Sequence, residues 1–182
     1  MRGFTLVELL VVLAIMGIVG ITAYLNIGTF REDANLKSAA SDLQSYLRLA
    51  QANATTGLKC GATGGSSWSL LIKDRTAIQL RCQTQAVADS PIREWTIKAP
   101  AQIDSIEGIG TLNCFSVKSD DVIINPVTVT FSYLVGQAAF LDPQNQCLSE
   151  STGIQIKIRK KTGSLDLKTI TVSKGGAIDV SK

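Results

Sequence analysis

The distribution of apolar residues divides the chain into three parts, the first of which is almost entirely apolar. From Phe4 to Leu25 the residues are apolar or small, and Glu8 carries the only charge. A helix rises about 1.5 Å per residue, so this run would extend roughly 30 Å, the thickness of the hydrocarbon core of a bilayer. The pattern therefore predicts a membrane-spanning helix over residues 4–28.

This apolar run differs from a cleaved secretory signal. A signal has a basic start, an apolar core of about 7–15 residues and small residues at the cleavage site. Here the run is longer, Arg2 is the one basic residue before it, and no Ala-x-Ala sequence follows. A carboxylate in an apolar span is costly, so Glu8 marks a functional position unless its side chain simply reaches the headgroups.

The second part of the chain, residues 29–57, has the pattern of an amphipathic helix. Apolar residues recur at alternating steps of four and three, with charged and polar residues between them. The stripe consists of Leu36, Ala40, Leu43, Leu47, Ala50 and Ala54, widened by Ala39 and Tyr46. No proline interrupts it and Gly57 is a suitable stop. We expect one helix of about 50 residues whose outer half packs on a globular domain; a free coiled coil is the alternative.

The third part, residues 58–182, has the pattern of short strands separated by turns. Its length allows one domain with a real core. The predicted strands are 68–73, 76–82, 93–98, 102–106, 113–117, 127–133, 138–141, 154–160, 169–173 and 177–180. Turn residues lie between them at 73–75, 142–145, 161–164 and 174–176. Short strands without a second long helix predict an α+β protein, in which a long N-terminal helix is capped by antiparallel β-sheets.

The start of the chain carries a specific motif ahead of the apolar helix, which reads Gly3-Phe4-Thr5-Leu6-Val7-Glu8. It resembles the processing site of type IV prepilins and type II secretion pseudopilins. The resemblance implies a leader peptide over residues 1–3, cleavage by a prepilin peptidase between Gly3 and Phe4, and methylation of the new amino group of Phe4. It also implies that Glu8 pairs with the amino group of Phe4 in a neighbouring subunit, since opposite charges attract strongly in an apolar filament core.

Two features depart from the family pattern. The leader is shorter than most, which leaves open whether the start codon lies upstream. Many major pilins have a proline in the outer part of this helix, and this chain has none there. We therefore expect a straighter helix, or one kinked at Gly17, Gly20 or Gly28. Small residues recur every three positions, at Ala14, Gly17, Gly20 and Ala23. They would allow close helix packing, although ordinary membrane helices share this spacing.

The layout beyond the motif resembles the minor-pilin branch of the family, which includes the H-type pseudopilin. The shared features are the helix ending near Ala52, a small loop to Cys60, a strand led by Trp68, and a closing hairpin. This resemblance implies the pilin fold. It leaves open whether the chain is a major or a minor subunit, and whether it serves a pilus or a secretion pseudopilus.

Four cysteines follow the apolar helix: Cys60, Cys82, Cys114 and Cys147. Their spacing is not that of a zinc site, and beyond a cytoplasmic membrane they would lie in an oxidising compartment. Four cysteines allow three connectivities. We favour Cys60–Cys82 and Cys114–Cys147, because each pair brackets one block of strands; free buried thiols are the alternative.

The composition argues against catalysis. The chain has no histidine, which removes the commonest general base and the commonest metal ligand. The glycine-rich segment 61–67 lacks the Lys-Ser/Thr end of a phosphate loop. Asp120, Asp121 and Asn125 supply too few ligands for a calcium site. We therefore expect no catalytic residue, metal or cofactor.

A basic stretch near the C-terminus is the other notable charge feature. Its candidate DNA contacts are Lys157, Arg159, Lys160 and Lys161, and Asp166 is the one acidic residue between 157 and 174. Phosphate contacts need little beyond positive charge. The basic C-terminal motif of DNA-binding minor pilins is missing, however, because residues 175–178 read Gly-Gly-Ala-Ile. A solvated hairpin is the simpler interpretation.

Together these observations predict a non-enzymatic structural subunit, most like a minor pilin of a type IV pilus-like filament. The alternatives are a type II secretion pseudopilin and a pilus-tip adhesin or DNA-binding subunit. Expected partners are other pilin subunits, prepilin peptidase, an inner-membrane assembly platform and, before assembly, membrane lipid; DNA or a secreted protein are further candidates. The predicted location is a single-pass cytoplasmic membrane protein, N-terminus inside, that enters a filament at the cell surface.

Overall fold

The computed structural model describes residues 5–60, 67–83, 90–110, 115–117, 126–142, 147–161 and 166–181. Within these ranges, the side chains of residues 22–29, 90, 115–117 and 147 are not described. The chain forms two compact units, Met1–Ala34 and Asn35–Lys182. The candidate calcium ligands between 120 and 125 lie outside the described residues, as does most of the glycine-rich segment.

The structure has two helices and ten strands in the described residues. The helices are α1 (Leu6–Thr55) and α2 (Cys147–Glu150). In chain order the strands are β1 (Ser67–Ile72), β2 (Ala77–Gln83), β3 (Ser90–Thr96), β4 (Ala101–Ile109), β5 (Phe115–Val117), β6 (Val127–Phe131), β7 (Ala138–Leu141), β8 (Gly153–Lys160), β9 (Leu167–Ser173) and β10 (Ile178–Ser181).

Helix α1 ends in the way the sequence predicts. Gly57 has a φ of 69°, the left-handed conformation that glycine adopts most easily. The amide of Gly57 donates to the carbonyl of Ala54 at 3.2 Å, and the amide of Leu58 donates to that of Asn53 at 3.0 Å. These two bonds form a Schellman motif, which satisfies carbonyls that the helix leaves without an intrahelical partner.

The strands form two five-stranded sheets in which every described pairing is antiparallel. The first sheet has the order β3-β2-β1-β6-β7 and the second the order β10-β9-β8-β4-β5. Neighbouring segments such as β1 and β2 pair as hairpins, whereas β4 pairs with β8 over eight aligned positions despite the long stretch of chain between them. The α+β fold class predicted from the sequence is confirmed.

The core of the second unit lies between α1 and the two sheets. The six residues of the predicted stripe, from Leu36 to Ala54, are buried, as is Ala39, and Tyr46 is half-buried. The stripe belongs to one apolar cluster with the inward-facing residues of both sheets, which include Leu70, Val129 and Ile156. Strands such as β6 alternate buried and half-buried residues, so each sheet turns one face to this core. The outer half of the predicted helix therefore packs on the sheets by the stripe that its sequence defines.

Each predicted strand corresponds to an observed strand, but the residues at which the strands begin and end agree less closely. Strand β7 has the predicted bounds, whereas β4 runs three residues past the expected end at Ile106 because β8 pairs with it as far as Ile109. The predicted turns at 73–75 and 174–176 join β1 to β2 and β9 to β10. Helix α2 has four residues and was not predicted, since one turn is too short to show helical periodicity.

Candidate functional site

The first turn of α1 positions the one carboxylate of the apolar segment. The amide and the hydroxyl of Thr5 each donate to Oε2 of Glu8 at 2.9 Å. In return, the amide of Glu8 donates to the Thr5 hydroxyl oxygen at 3.3 Å. This is a capping box, in which Thr5 is the N-cap and Glu8 occupies the third helical position. The Glu8 side chain is therefore held at the helix start by donors from its own chain.

The apolar side chains that follow Glu8 are exposed as far as Ile21, where the described side chains of this segment stop. A β-carbon added at Gly17 or Gly20 would meet no atom within 4 Å, so both glycines present open backbone. Small residues at these positions allow another helix to approach closely. Hydropathy identifies no helix in the described part of the chain that is long and apolar enough to cross a membrane.

The proposed processing site lies just before this helix. Gly3 and Phe4 fall outside the described residues. Cleavage between them and methylation of Phe4 therefore stay predictions of the N-terminal motif.

Thr5 is the residue of this site that the sequence interpretation did not single out. Its signal was present in the chain, because Thr-x-x-Glu at the start of an apolar helix is the capping-box pattern. Glu8 thus has a partner within its own helix, besides the one that the motif implies in a neighbouring subunit.

One of the two predicted disulfides falls within the described residues. Cys60 and Cys82 form a disulfide, with α-carbons 6.0 Å apart, which confirms that pairing. It ties the segment after α1 to strand β2. Cys114 lies outside the described residues, as does the side chain of Cys147, so the second pairing stays a prediction.

Two of the candidate DNA contacts lie side by side on the outer face of β8 and have acidic partners. Nζ of Lys157 lies 2.6 Å from Oε1 of Glu107. Nε of Arg159 forms an ion pair with Oδ1 of Asp104 at 2.7 Å, and this buried oxygen has no hydrogen-bond partner among the residues that the structure describes. Both acids come from β4, which pairs with β8. The neighbouring strand thus neutralises charge that the sequence leaves unopposed.

The other two candidates lie where β8 ends. Lys160 is buried, and its Nζ lies 3.5 Å from Oδ2 of Asp166. Lys161 is exposed, and its amide donates to the carbonyl of Pro100 at 2.8 Å. Lys161 is thus the one exposed residue among the four candidate DNA contacts. DNA binding stays a prediction. Among the residues that the structure describes, no group of three or more histidine, cysteine or acidic side chains could hold a metal ion.

Comparisons with known proteins agree with the N-terminal motif. The sequence profile of the prokaryotic N-terminal methylation motif matches residues 1–24. No curated protein matches the chain in sequence. The motif covers the segment that contains Gly3, Phe4 and Glu8, together with most of the apolar run.

Comparisons with solved structures concern the whole fold. The type IV minor pilin FimU of Pseudomonas aeruginosa is similar with a TM-score of 0.52 at 14% identity, over 84% of this chain and 92% of that one. The minor pseudopilin EpsH of the Vibrio cholerae type II secretion system is similar with a TM-score of 0.52 at 13% identity, over 80% of this chain and 94% of that one. At these identities the likeness establishes the fold alone. The motif and the fold together confirm the resemblance of this chain to type IV pilins and type II secretion pseudopilins.

Proposed function

We propose that this protein is a structural subunit, of the minor-pilin kind, of a type IV pilus-like filament. The observation that carries the proposal is a methylation motif that extends into a helix of exposed apolar residues, in a chain with the pilin fold. The N-terminal segment would anchor the precursor in the membrane. A prepilin peptidase would then cleave it between Gly3 and Phe4 and methylate the amino group of Phe4.

Assembly would bury the apolar side chains of residues 6–21 among the helices of neighbouring subunits. In a filament outside the membrane, these side chains would face water if they were not packed together, at a cost of roughly 25 cal/mol per Å² of apolar surface, so this segment would be the main source of filament stability. A buried charge is costly when unpaired and favourable when paired and hydrogen-bonded. The amino group of Phe4 from a neighbouring subunit would pair with Glu8, whose position the Thr5 cap fixes. This pairing would set the register of one subunit against the next.

A second candidate is a pseudopilin of a type II secretion system. The fold favours it as much as the first, since the TM-score to EpsH equals that to FimU. Both candidates require the same processing and the same use of Glu8. They differ in where the filament ends, at the cell surface or within the envelope.

Removal of the Glu8 carboxylate tests the proposal. We expect Glu8→Ala to lower the amount of this chain in purified filaments by at least about ten-fold, because the loss of one buried charge pair costs about 3–5 kcal/mol. The precursor should still be cleaved and remain in the membrane. Quantitative mass spectrometry of filament and membrane fractions measures both amounts.

Glu32→Ala is the matched control, since Glu32 is another acidic residue of α1 but lies beyond the apolar run. It should leave the amount of the chain in filaments unchanged. Equal incorporation of wild type and Glu8→Ala would contradict the proposed role of Glu8.

A further inference from the structure

The β6–β7 loop and the end of α1 form an exposed apolar patch. We call Leu58, Tyr133, Leu134 and Val135 the loop patch; their exposed fractions are 50%, 41%, 62% and 65%. The ring of Tyr133 lies on Gly57, where an added β-carbon would be 3.1 Å from Cε2 of the ring. Leu58 follows Gly57 directly, which places it next to this contact along the chain. None of the four side chains carries a charge.

The backbone of this loop is strained at Leu134. Leu134 has a φ of 63°, and it is the one residue other than glycine with a positive φ in the described chain. The amide of Val135 donates to the carbonyl of Tyr133 at 2.8 Å, which closes a γ-turn around Leu134. A turn of this kind with a positive φ is rare and strained, and such strain persists where the surrounding structure imposes it.

The surrounding structure imposes this strain through hydrogen bonds to the helix and to a second loop. The amide of Leu134 donates to the carbonyl of Ala54 at 3.1 Å. Nε2 of Gln51 donates to the carbonyls of Gly136 at 3.3 Å and of Gly176 at 2.8 Å. The loop is thus fixed against α1 and against the β9–β10 turn. A fixed conformation that holds apolar side chains in solvent favours binding, since little conformational entropy is lost when a partner covers it.

The size of the patch decides what kind of partner covers it. Its four residues, each between 41% and 65% exposed, offer far less surface than the about 800 Å² per partner of a stable interface. A patch of this size is too small to hold two free molecules together. It is sufficient where another contact already keeps the partner close, because tethering raises the effective concentration to about the millimolar range.

We propose that the loop patch docks against an apolar surface on the globular domain of a neighbouring subunit in the filament. This inference rests on the proposed function, since packing of the N-terminal helices would supply the tether. The contact would form during assembly and would be negligible between free subunits.

Photo-crosslinking in cells that assemble the filament tests the docking contact. A photo-reactive residue is placed at Val135 of the full-length chain, where the backbone φ is not positive. The matched control carries it at Ile92, which is similarly exposed but lies on β3, at the opposite edge of the sheet from β7. We expect a product with another filament subunit from position 135, several-fold stronger than from position 92, and its loss when Glu8→Ala is added.

Leu134→Gly separates docking from folding. Glycine adopts a positive φ without strain, and the side chain it removes is largely exposed, so the midpoint of thermal unfolding should stay unchanged or rise. The crosslink from position 135 should nevertheless fall several-fold, because the centre of the patch is gone. A crosslink of undiminished strength in this variant would overturn the proposal.

The remaining outcomes distinguish this inference from the proposed function. If the chain is present in filaments but position 135 gives no product, or no more than position 92, the docking contact is wrong and the structural role stands. A product that persists with Glu8→Ala overturns the docking contact too, since its partner would then not be a filament neighbour. Absence of the wild-type chain from filaments would overturn both.

Discussion

The two units of this chain differ in whether the apolar side chains of α1 are exposed or buried. In residues 6–21 of the first unit, the large apolar side chains are exposed, from Leu6 to Ile21. In the second unit, the apolar residues of α1 that recur at helical spacing are buried against two sheets. One continuous helix, α1, thus contributes to both units, but its two halves meet different surroundings.

This difference indicates which contacts stabilise each half of α1. The second unit buries its own apolar surface and adds a disulfide between Cys60 and Cys82, so we expect it to fold without a partner. Among the described residues of the first unit, none covers the apolar side chains of residues 6–21. In the proposed function, membrane lipid covers them before assembly and neighbouring helices cover them afterwards. Substitutions in the buried half of α1 should therefore affect folding, and substitutions in residues 6–21 should affect assembly.

The same substitution made in each half gives the largest expected contrast in folding stability. Leu43 is fully buried, so Leu43→Ala should lower the free energy of unfolding of the domain by about 2–5 kcal/mol, through lost burial and the cavity left behind. Leu13 is more than half exposed, so Leu13→Ala should change it by less than about 0.5 kcal/mol.

Chemical denaturation of the full-length chain in one detergent measures both effects. The fluorescence of Trp68 and Trp95 reports on the second unit alone. If Leu13→Ala destabilised this unit as much as Leu43→Ala does, folding of the domain would depend on the apolar half, and the comparison would fail.

A smaller effect is expected at the turn between β1 and β2. Oδ1 of Asp74 accepts hydrogen bonds from the amides of Thr76 and Ala77, each at 2.7 Å, and from the Thr76 hydroxyl at 3.0 Å. Partial burial raises the pKa of Asp74, but these bonds, together with the charge of Lys73, outweigh it and bring the pKa below its ordinary value. Asp74→Ala removes the acceptor and should cost about 1 kcal/mol.

The lowered pKa of Asp74 also predicts a dependence on pH. A carboxylate whose pKa is lower in the folded state stabilises the fold above its unfolded pKa, near 3.8, and this contribution is lost as the pH falls through the folded pKa. Unfolding measured between pH 7 and pH 2 should show this loss in the wild type. Asp74→Asn keeps the acceptor but does not titrate, so its stability should fall less. Identical pH profiles would contradict this role of the charge.

Local features of the fold could be predicted from the sequence, because short-range chemistry determines them. The stripe from Leu36 to Ala54 follows from helical spacing, and the stop at Gly57 follows from the ease with which glycine adopts a positive φ. The hairpin turn at Asp74 follows from the way this side chain accepts bonds from the amides that follow it.

Features that depend on distant parts of the chain could not be predicted in this way. The pairing of β4 with β8 brings Asp104 and Glu107 beside Arg159 and Lys157, which no local pattern reveals. The loop patch likewise arises where α1 and the β6–β7 loop meet. At the candidate site, by contrast, the bond between Thr5 and Glu8 is local, and the Thr-x-x-Glu pattern of the sequence carries its signal.

The N-terminus of this chain in assembled filaments, and its amount there, most directly test whether it is a processed filament subunit. Filaments are sheared from intact cells, and mass spectrometry determines the N-terminal peptide of this chain and its amount relative to the dominant pilin. We expect a peptide that begins at Phe4, carries a methyl group on its amino terminus, and is present at a small fraction of the dominant subunit. A chain that keeps an uncut N-terminus at Met1 would show that it is not processed as a prepilin.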